Sequence, residues 1–173
     1  RLRAACPRLC AWDLFRQLMG GQPPPFAAFA DIGEWAVCSA SPELFFRLKG
    51  AHIESRPMKG TAARGLSLED DEARGEGLRG SEKDRAENVM IADMVRNDLG
   101  RIAVPGSVTV PTLFGTERHA TVWQMVTTVA ARTEASVADI FRALFPPASI
   151  TGAPKRRAME IIDELEDTPR RVY

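Results

Sequence analysis

The spacing of apolar and polar positions changes several times along the chain, and each change marks an element. Ala11–Met19 has the pattern of a short amphipathic helix, ended by Gly20-Gly21 and the Pro23-Pro24-Pro25 run. Three strand-like pieces follow, Phe26–Ala30, Trp35–Ser39 and Leu44–Lys49, with His52–Arg56 as a fourth. Their connections are too short for crossover helices, so they predict an antiparallel meander. Pro57–Gly65 reads as a loop. Leu68–Gly80, charged and punctuated by glycine, reads as a surface excursion with some helix. Ser81 opens the strongest helix, with Glu82, Asp84 and Glu87 in its early turns and Gly100 as its stop. Ser107–Leu113 and Thr121–Ala131 are rich in Val and Thr and predict strands, although period alone would also fit the second as helix. Ser136 caps a helix through Phe145, closed by Pro146-Pro147. Pro154 starts a last helix in which Ala158, Ile161, Ile162 and Leu165 follow the 3.6-residue period. Strands come in runs interrupted by helices, with no internal repeat, so the expected class is α+β.

Composition narrows the possible functions. The chain has 173 residues, enough for one domain with a real core. Its 23 basic and 23 acidic residues cancel, which argues against a general nucleic-acid binder. No apolar run approaches the roughly 20 residues of a membrane span, and Arg1–Pro7 lacks the apolar stretch of a signal peptide. The expectation is a cytoplasmic protein with neither nucleic acid nor membrane as partner. Cys6, Cys10 and Cys38 form no metal-binding spacing and are expected to be buried reduced thiols. His52 and His119 sit in no triad or metal pattern, so acid–base work falls to carboxylates or lysine. Only four of the 23 basic residues are lysine, namely Lys49, Lys59, Lys83 and Lys155. Arginine stays protonated, whereas lysine can lose its proton and react, so each of the four merits scrutiny.

Three places can carry chemistry. Ser41-Pro42-Glu43 sets a carboxylate at a bend between two strands, where it reads equally as a solvated turn residue. In Arg56-Pro57-Met58-Lys59-Gly60-Thr61-Ala62-Ala63-Arg64-Gly65, proline fixes the backbone and the glycines allow a ligand to approach closely. Backbone N–H groups and the Thr61 hydroxyl suit a carboxylate or phosphate there, but the order of a P-loop is absent. An ordinary ordered loop fits as well. Glu87 shares a helical stripe with Ile91, Met94 and Asp98. An acid on such a stripe must be solvated at its edge, paired (Arg96-Asn97-Asp98 offers partners), or bound to a cation.

Taken together and in order, four segments resemble the chorismate-utilising family. They are Ser39-Ala40-Ser41-Pro42-Glu43-Leu44-Phe45, Arg56–Thr61, Glu87 with Asp93–Arg101, and Ser149–Lys155. The family includes anthranilate, aminodeoxychorismate, isochorismate and salicylate synthases. The resemblance implies antiparallel sheets sandwiched with helices outside. It implies a Mg²⁺ ion on the substrate's ring carboxylate with the acid at Glu87 as a ligand, and Gly60-Thr61 in contact with that carboxylate. Glu43 matches the acid that protonates the departing 4-hydroxyl.

Lys59 selects the branch. Anthranilate synthases resemble Pro-Ile-Ala-Gly-Thr here, with alanine at this position. In aminodeoxychorismate synthases it is a lysine, viewed as a nucleophile that adds to C2 before ammonia attacks C4. The resemblance thus implies a first component that turns chorismate and ammonia into 4-amino-4-deoxychorismate, with the ammonia supplied by a glutamine amidotransferase subunit. Many relatives carry His-Leu-Val-Ser where this chain has Gln124-Met125-Val126-Thr127. Gln124 can hydrogen-bond substrate but cannot shuttle a proton, which disfavours pyruvate elimination. Relatives also extend beyond both ends, so residues 1–173 are expected to be the central fragment of one chorismate-binding domain, inactive alone. The second metal ligand and the pyruvyl-binding residues would lie outside it. Anthranilate or isochorismate synthase is the alternative within the class, and an inactive interaction or structural piece the alternative outside it.

Overall fold

The computed structural model describes residues 10–21 and 23–168. Cys6, the start at Arg1–Pro7 and the Arg170–Tyr173 region lie outside the described residues. The chain forms two compact units that divide after Leu44.

The first unit contains helix α1 (Ala11–Leu18) and strands β1 (Phe26–Asp31) and β2 (Ala36–Ser41). The strands pair antiparallel without interruption, from Phe26 opposite Ser41 to Asp31 opposite Ala36. The Asp31 carboxylate accepts the Gly33 N–H at 2.9 Å, closing the turn at a glycine with φ +87°. Trp12 and Phe15 of α1 meet Phe29 of β1 with ring centroids 5.1 and 5.6 Å apart. Cys10 is exposed, contrary to the expectation of a buried thiol, while half-buried Cys38 donates to the Ala11 carbonyl.

The second unit is built around one long strand. It runs through β3 (Leu44–Lys49), β4 (His52–Arg56), β5 (Met58–Ala63), helices α2 (Leu68–Gly80) and α3 (Glu82–Gly100), β6 (Thr109–Arg118) and β7 (Val122–Arg132). Helices α4 (Val137–Leu144), α5 (Ala148–Thr151) and α6 (Lys155–Leu165) complete it. The strand order is β3-β4-β7-β5, with β6 also on β7. Since β6 lines one edge of β7, β4 and β5 must share the other, β4 along residues 129–132 and β5 along 122–126. All three pairings with β7 are antiparallel.

Alternation along β7 sends Met125, Thr127, Val129 and Ala131 to one face, and all four are buried. Helix α3 covers that face with Asn88, Ile91, Ala92, Val95, Asp98 and Leu99, an i, i+3, i+4, i+7 stripe. Ile53, Ile140, Ala143, Leu144 and Ala148 complete the core. Leu99 is fully buried there, and truncating it to alanine would cost about 2–5 kcal/mol. The Ser81 and Ser136 side chains accept the Asp84 and Asp139 N–H groups, so both predicted helix starts hold.

Four further expectations change. The meander is split, because β1–β2 form their own sheet while β3 and β4 belong to the other. The stretch expected as a loop, 57–65, contains strand β5, which lacks a period-2 signature because a bulge interrupts it. The expected excursion 68–80 is a continuous helix capped by Ser67, with three acids in its first turn. Its glycines are tolerated partly because Gly75 packs under the Trp123 ring, where a Cβ would lie 3.1 Å from the indole. Strand β6 runs five residues past the expected Leu113, and short α5 was not anticipated. The class is α+β with antiparallel sheets, as expected. Among the described residues no helix is long and apolar enough to cross a membrane.

Candidate active site

The local geometry starts at Pro57, whose carbonyl accepts the Thr127 N–H of β7 at 3.1 Å. From there β5 pairs Met58 with Val126, but three residues on it pairs Thr61 with Gln124. Lys59 and Gly60 therefore oppose the single residue Met125, which is a β-bulge. Gly60 makes the bulge possible. Its φ is +99°, and a Cβ there would lie 3.0 Å from the Asp84 Cβ and 3.2 Å from the Met125 Cβ. Neither the backbone nor the space admits a larger residue.

Lys59 is half-buried, and its ammonium makes no hydrogen bond or ion pair with any described residue. Its backbone is held more firmly. The Asn88 amide of α3 donates to the Lys59 carbonyl at 3.1 Å and to the Met125 carbonyl at 3.3 Å. The Thr127 hydroxyl donates to the Asn88 Oδ1 and itself accepts the Phe114 N–H at 3.2 Å. Thr61 donates to Gln124 Oε1 at 3.1 Å. Gln124 also stands opposite Glu117 of β6, so Thr61, Gln124 and Glu117 form a polar row on the sheet face away from α3. Arg56 pairs with Glu117.

The expected site residues thus fall into three groups. Lys59, Gly60, Thr61 and Gln124 come together on β5 and β7. Glu87 lies on the turn of α3 docked against β5, one residue before Asn88. Its side chain is about half exposed, with Lys83 4.0 Å away. Of its anticipated partners, Arg96 pairs with Asp93, and Asp98 with Lys155 at 2.8 Å. Glu43 belongs to the first unit. Its N–H donates to the Ser41 hydroxyl at 3.1 Å, fixing the bend before β3.

Two important residues were not anticipated. Asn88 is 1% exposed, and the signal for it was its place three and four residues before Ile91 and Ala92. Asp71 is 3% exposed at the start of α2. Arg64 binds both of its oxygens at 2.6 and 2.7 Å, and the Gly65 N–H and Trp123 indole also donate to it. The Arg64 hydrogen bonds outweigh desolvation and, with the Gly65 and Trp123 donors, hold the Asp71 carboxyl far below the usual range. This pair locks the end of β5 to α2 and β7.

Among the described residues no group of three His, Cys, Asp or Glu side chains could hold a metal ion. The Glu87 carboxylate, about half exposed, is a hard oxygen donor that could serve as a single protein ligand to an ion completed by substrate and water. That mode suits magnesium.

Comparison with known proteins shows the family. The chorismate binding enzyme family matches across residues 1–173. Aminodeoxychorismate synthase component 1 of Klebsiella aerogenes is 51% identical over 164 residues, covering 94% of this chain and 36% of that protein. Aminodeoxychorismate synthase of Streptomyces griseus is 50% identical over 168 residues, covering 95% of this chain and 23% of that one. Among solved structures, anthranilate synthase component I from Streptococcus pneumoniae superposes with a TM-score of 0.77 at 32% identity, covering 91% of this chain and 34% of that one. The chain spans about a third or less of the length of these relatives.

Proposed function

Because the chain belongs to the chorismate binding enzyme family, we propose that residues 1–173 are the central part of one chorismate-binding domain in an aminodeoxychorismate synthase component I. The whole protein would convert chorismate and ammonia to 4-amino-4-deoxychorismate, a step toward para-aminobenzoate and folate. A glutamine amidotransferase subunit would supply the ammonia. The observation that carries this reading is the setting of Lys59. It is a half-buried amine on a bulge, with no carboxylate partner among the described residues, directly before Gly60 and Thr61.

Lysine attacks only in its neutral form. In the proposed sequence the Lys59 amine adds to C2 of chorismate, and the ring double bonds shift as the 4-hydroxyl leaves. Glu43 donates the proton with which that hydroxyl departs as water, general-acid help of about 10²–10⁴-fold. Ammonia then adds at C4 and expels the Lys59 amine, so the lysine is regenerated. Backbone N–H groups at Gly60 and the Thr61 hydroxyl hold the ring carboxylate, with Gln124 beside them as a neutral hydrogen-bonding group. Glu87 would hold magnesium, which when bound neutralises substrate carboxylate charge.

Product identity tests the proposal. The full-length protein, incubated with chorismate, Mg²⁺ and ammonium, should release 4-amino-4-deoxychorismate by mass spectrometry. Direct release of anthranilate or isochorismate would assign another branch, and no product under any condition would favour an inactive piece.

A further inference from the structure

We propose that Asn88 is the positioning residue for Lys59, supplying through its side chain the hydrogen bonds that the β-bulge removes from the sheet. The inference rests on Lys59 being the nucleophile. A bulge places two residues opposite one and leaves the extra residue out of the ladder. Here the bulge falls at Lys59 and Gly60 opposite Met125. The carbonyls of Lys59 and Met125 are the acceptors on either side of the break, and both point to one amide, Asn88 Nδ2, at 3.1 and 3.3 Å.

The chemistry selects asparagine. Its NH₂ has two hydrogens for two carbonyls, and its oxygen remains free to accept. Thr127 accepts the Phe114 N–H with its lone pair and so directs its own hydrogen to Asn88 Oδ1. Every polar atom in the chain from Phe114 to Lys59 is thus used in the sense its chemistry allows. Aspartate would face two carbonyl oxygens with a carboxylate, and leucine would leave both carbonyls unpaired in the interior. Phe114 has φ +56°, unusual for a non-glycine residue, and its N–H is the far end of this chain. The network therefore links β6, β7 and α3 to the one backbone segment that carries the reactive amine. With Asn88 1% exposed, the amide is buried on the Lys59 and Met125 carbonyls, and its effect on the amine runs through the Lys59 backbone.

The test uses full-length protein carrying Asn88→Ala, Asn88→Asp, Thr127→Val or Thr127→Ser. Three quantities are read: kcat and KM for chorismate, the thermal midpoint, and acetylation of Lys59 relative to exposed Lys49 by peptide mass spectrometry. Misplacing a reacting group by about 1 Å costs on the order of 100-fold in rate. Asn88→Ala and Asn88→Asp should therefore lose roughly 10- to 100-fold in kcat with little change in KM, and the Lys59-to-Lys49 labelling ratio should change. Thr127→Val, which removes one hydroxyl, should move both in the same direction, and Thr127→Ser should restore them. This pair decides the matter if the Asn88 variants do not fold. Wild-type kcat and labelling ratio in folded Asn88→Ala, or in Thr127→Val, would overturn the inference. Full amination by Lys59→Ala would instead remove Lys59 as nucleophile, while the labelling ratio would still report whether Asn88 sets its surroundings.

Discussion

Replacing Gly60 with alanine adds one methyl group at the bulge, and the structure sets what that costs. An L-residue in left-handed backbone loses about 1–2 kcal/mol, and Gly60 has φ +99°. The new Cβ would also lie 3.0 Å from the Asp84 Cβ and 3.2 Å from the Met125 Cβ. Met125 is fully buried in the sheet, and Asp84 is tied to Ser81, so neither neighbour yields freely. Overfilling of this kind costs about 1–3 kcal/mol, for a total of about 2–5 kcal/mol. In a unit of this size that lowers the thermal midpoint by roughly 4–20 °C. Urea denaturation of Gly60→Ala should show the loss as a lower midpoint at unchanged slope. Gly77→Ala is the matched control, because Gly77 lies in α2 with nothing within 4 Å of its added Cβ. It should gain about 0.5–1 kcal/mol, as alanine does over glycine in a helix. A Gly60→Ala protein within about 0.5 kcal/mol of the parent would refute the bulge as described.

Other expectations test the frame around the site. The Asp71 carboxyl lies below its ordinary value near 3.8 when folded, chiefly through the Arg64 hydrogen bonds. Its stabilisation is therefore complete above that value and is lost as pH falls toward the folded pKa. Urea midpoints below pH 4 should fall less steeply in Asp71→Asn than in the parent, and parallel curves would contradict this. Lys155, 15% exposed, donates to Asp98, 12% exposed, and to the Leu144 carbonyl, joining the start of α6 to α3 and α4. Lys155→Met should destabilise by about 3–5 kcal/mol through the unpaired Asp98. The double change with Asp98→Asn should recover part of that loss, and additive costs would argue against the pair.

Where local chemistry dictates an element, it could be read in advance. The serine caps at 81 and 136 and Pro154 at the head of α6 announce their helices through groups within one turn. The elements that escaped depend on distant partners. Strand β5 exists because β7, sixty residues later, supplies its ladder, and Gly60 and the bulge erase its alternation. Helix α2 looks too rich in glycine until Trp123 is seen lying on Gly75. Strand β6 passes through Phe114 at positive φ, a conformation its sequence does not advertise. At the site, Lys59, Gly60, Thr61 and Gln124 were found through motif resemblance, and the fold brings them together. Asn88 carries no local signal of its role, because both of its acceptors lie outside α3. A buried polar side chain shows its role only when its acceptors, here on two strands 29 and 37 residues away, are known.

The central claim is that Lys59 bonds to substrate. Full-length protein held with chorismate and Mg²⁺ in the absence of ammonia should accumulate a covalent adduct, located by peptide mapping and mass spectrometry. The account predicts that the added mass lies on Lys59 and is absent from Lys59→Ala, which also loses amination. A Lys59→Ala protein that still aminates chorismate at the parental rate, with no adduct in the parent, would contradict it.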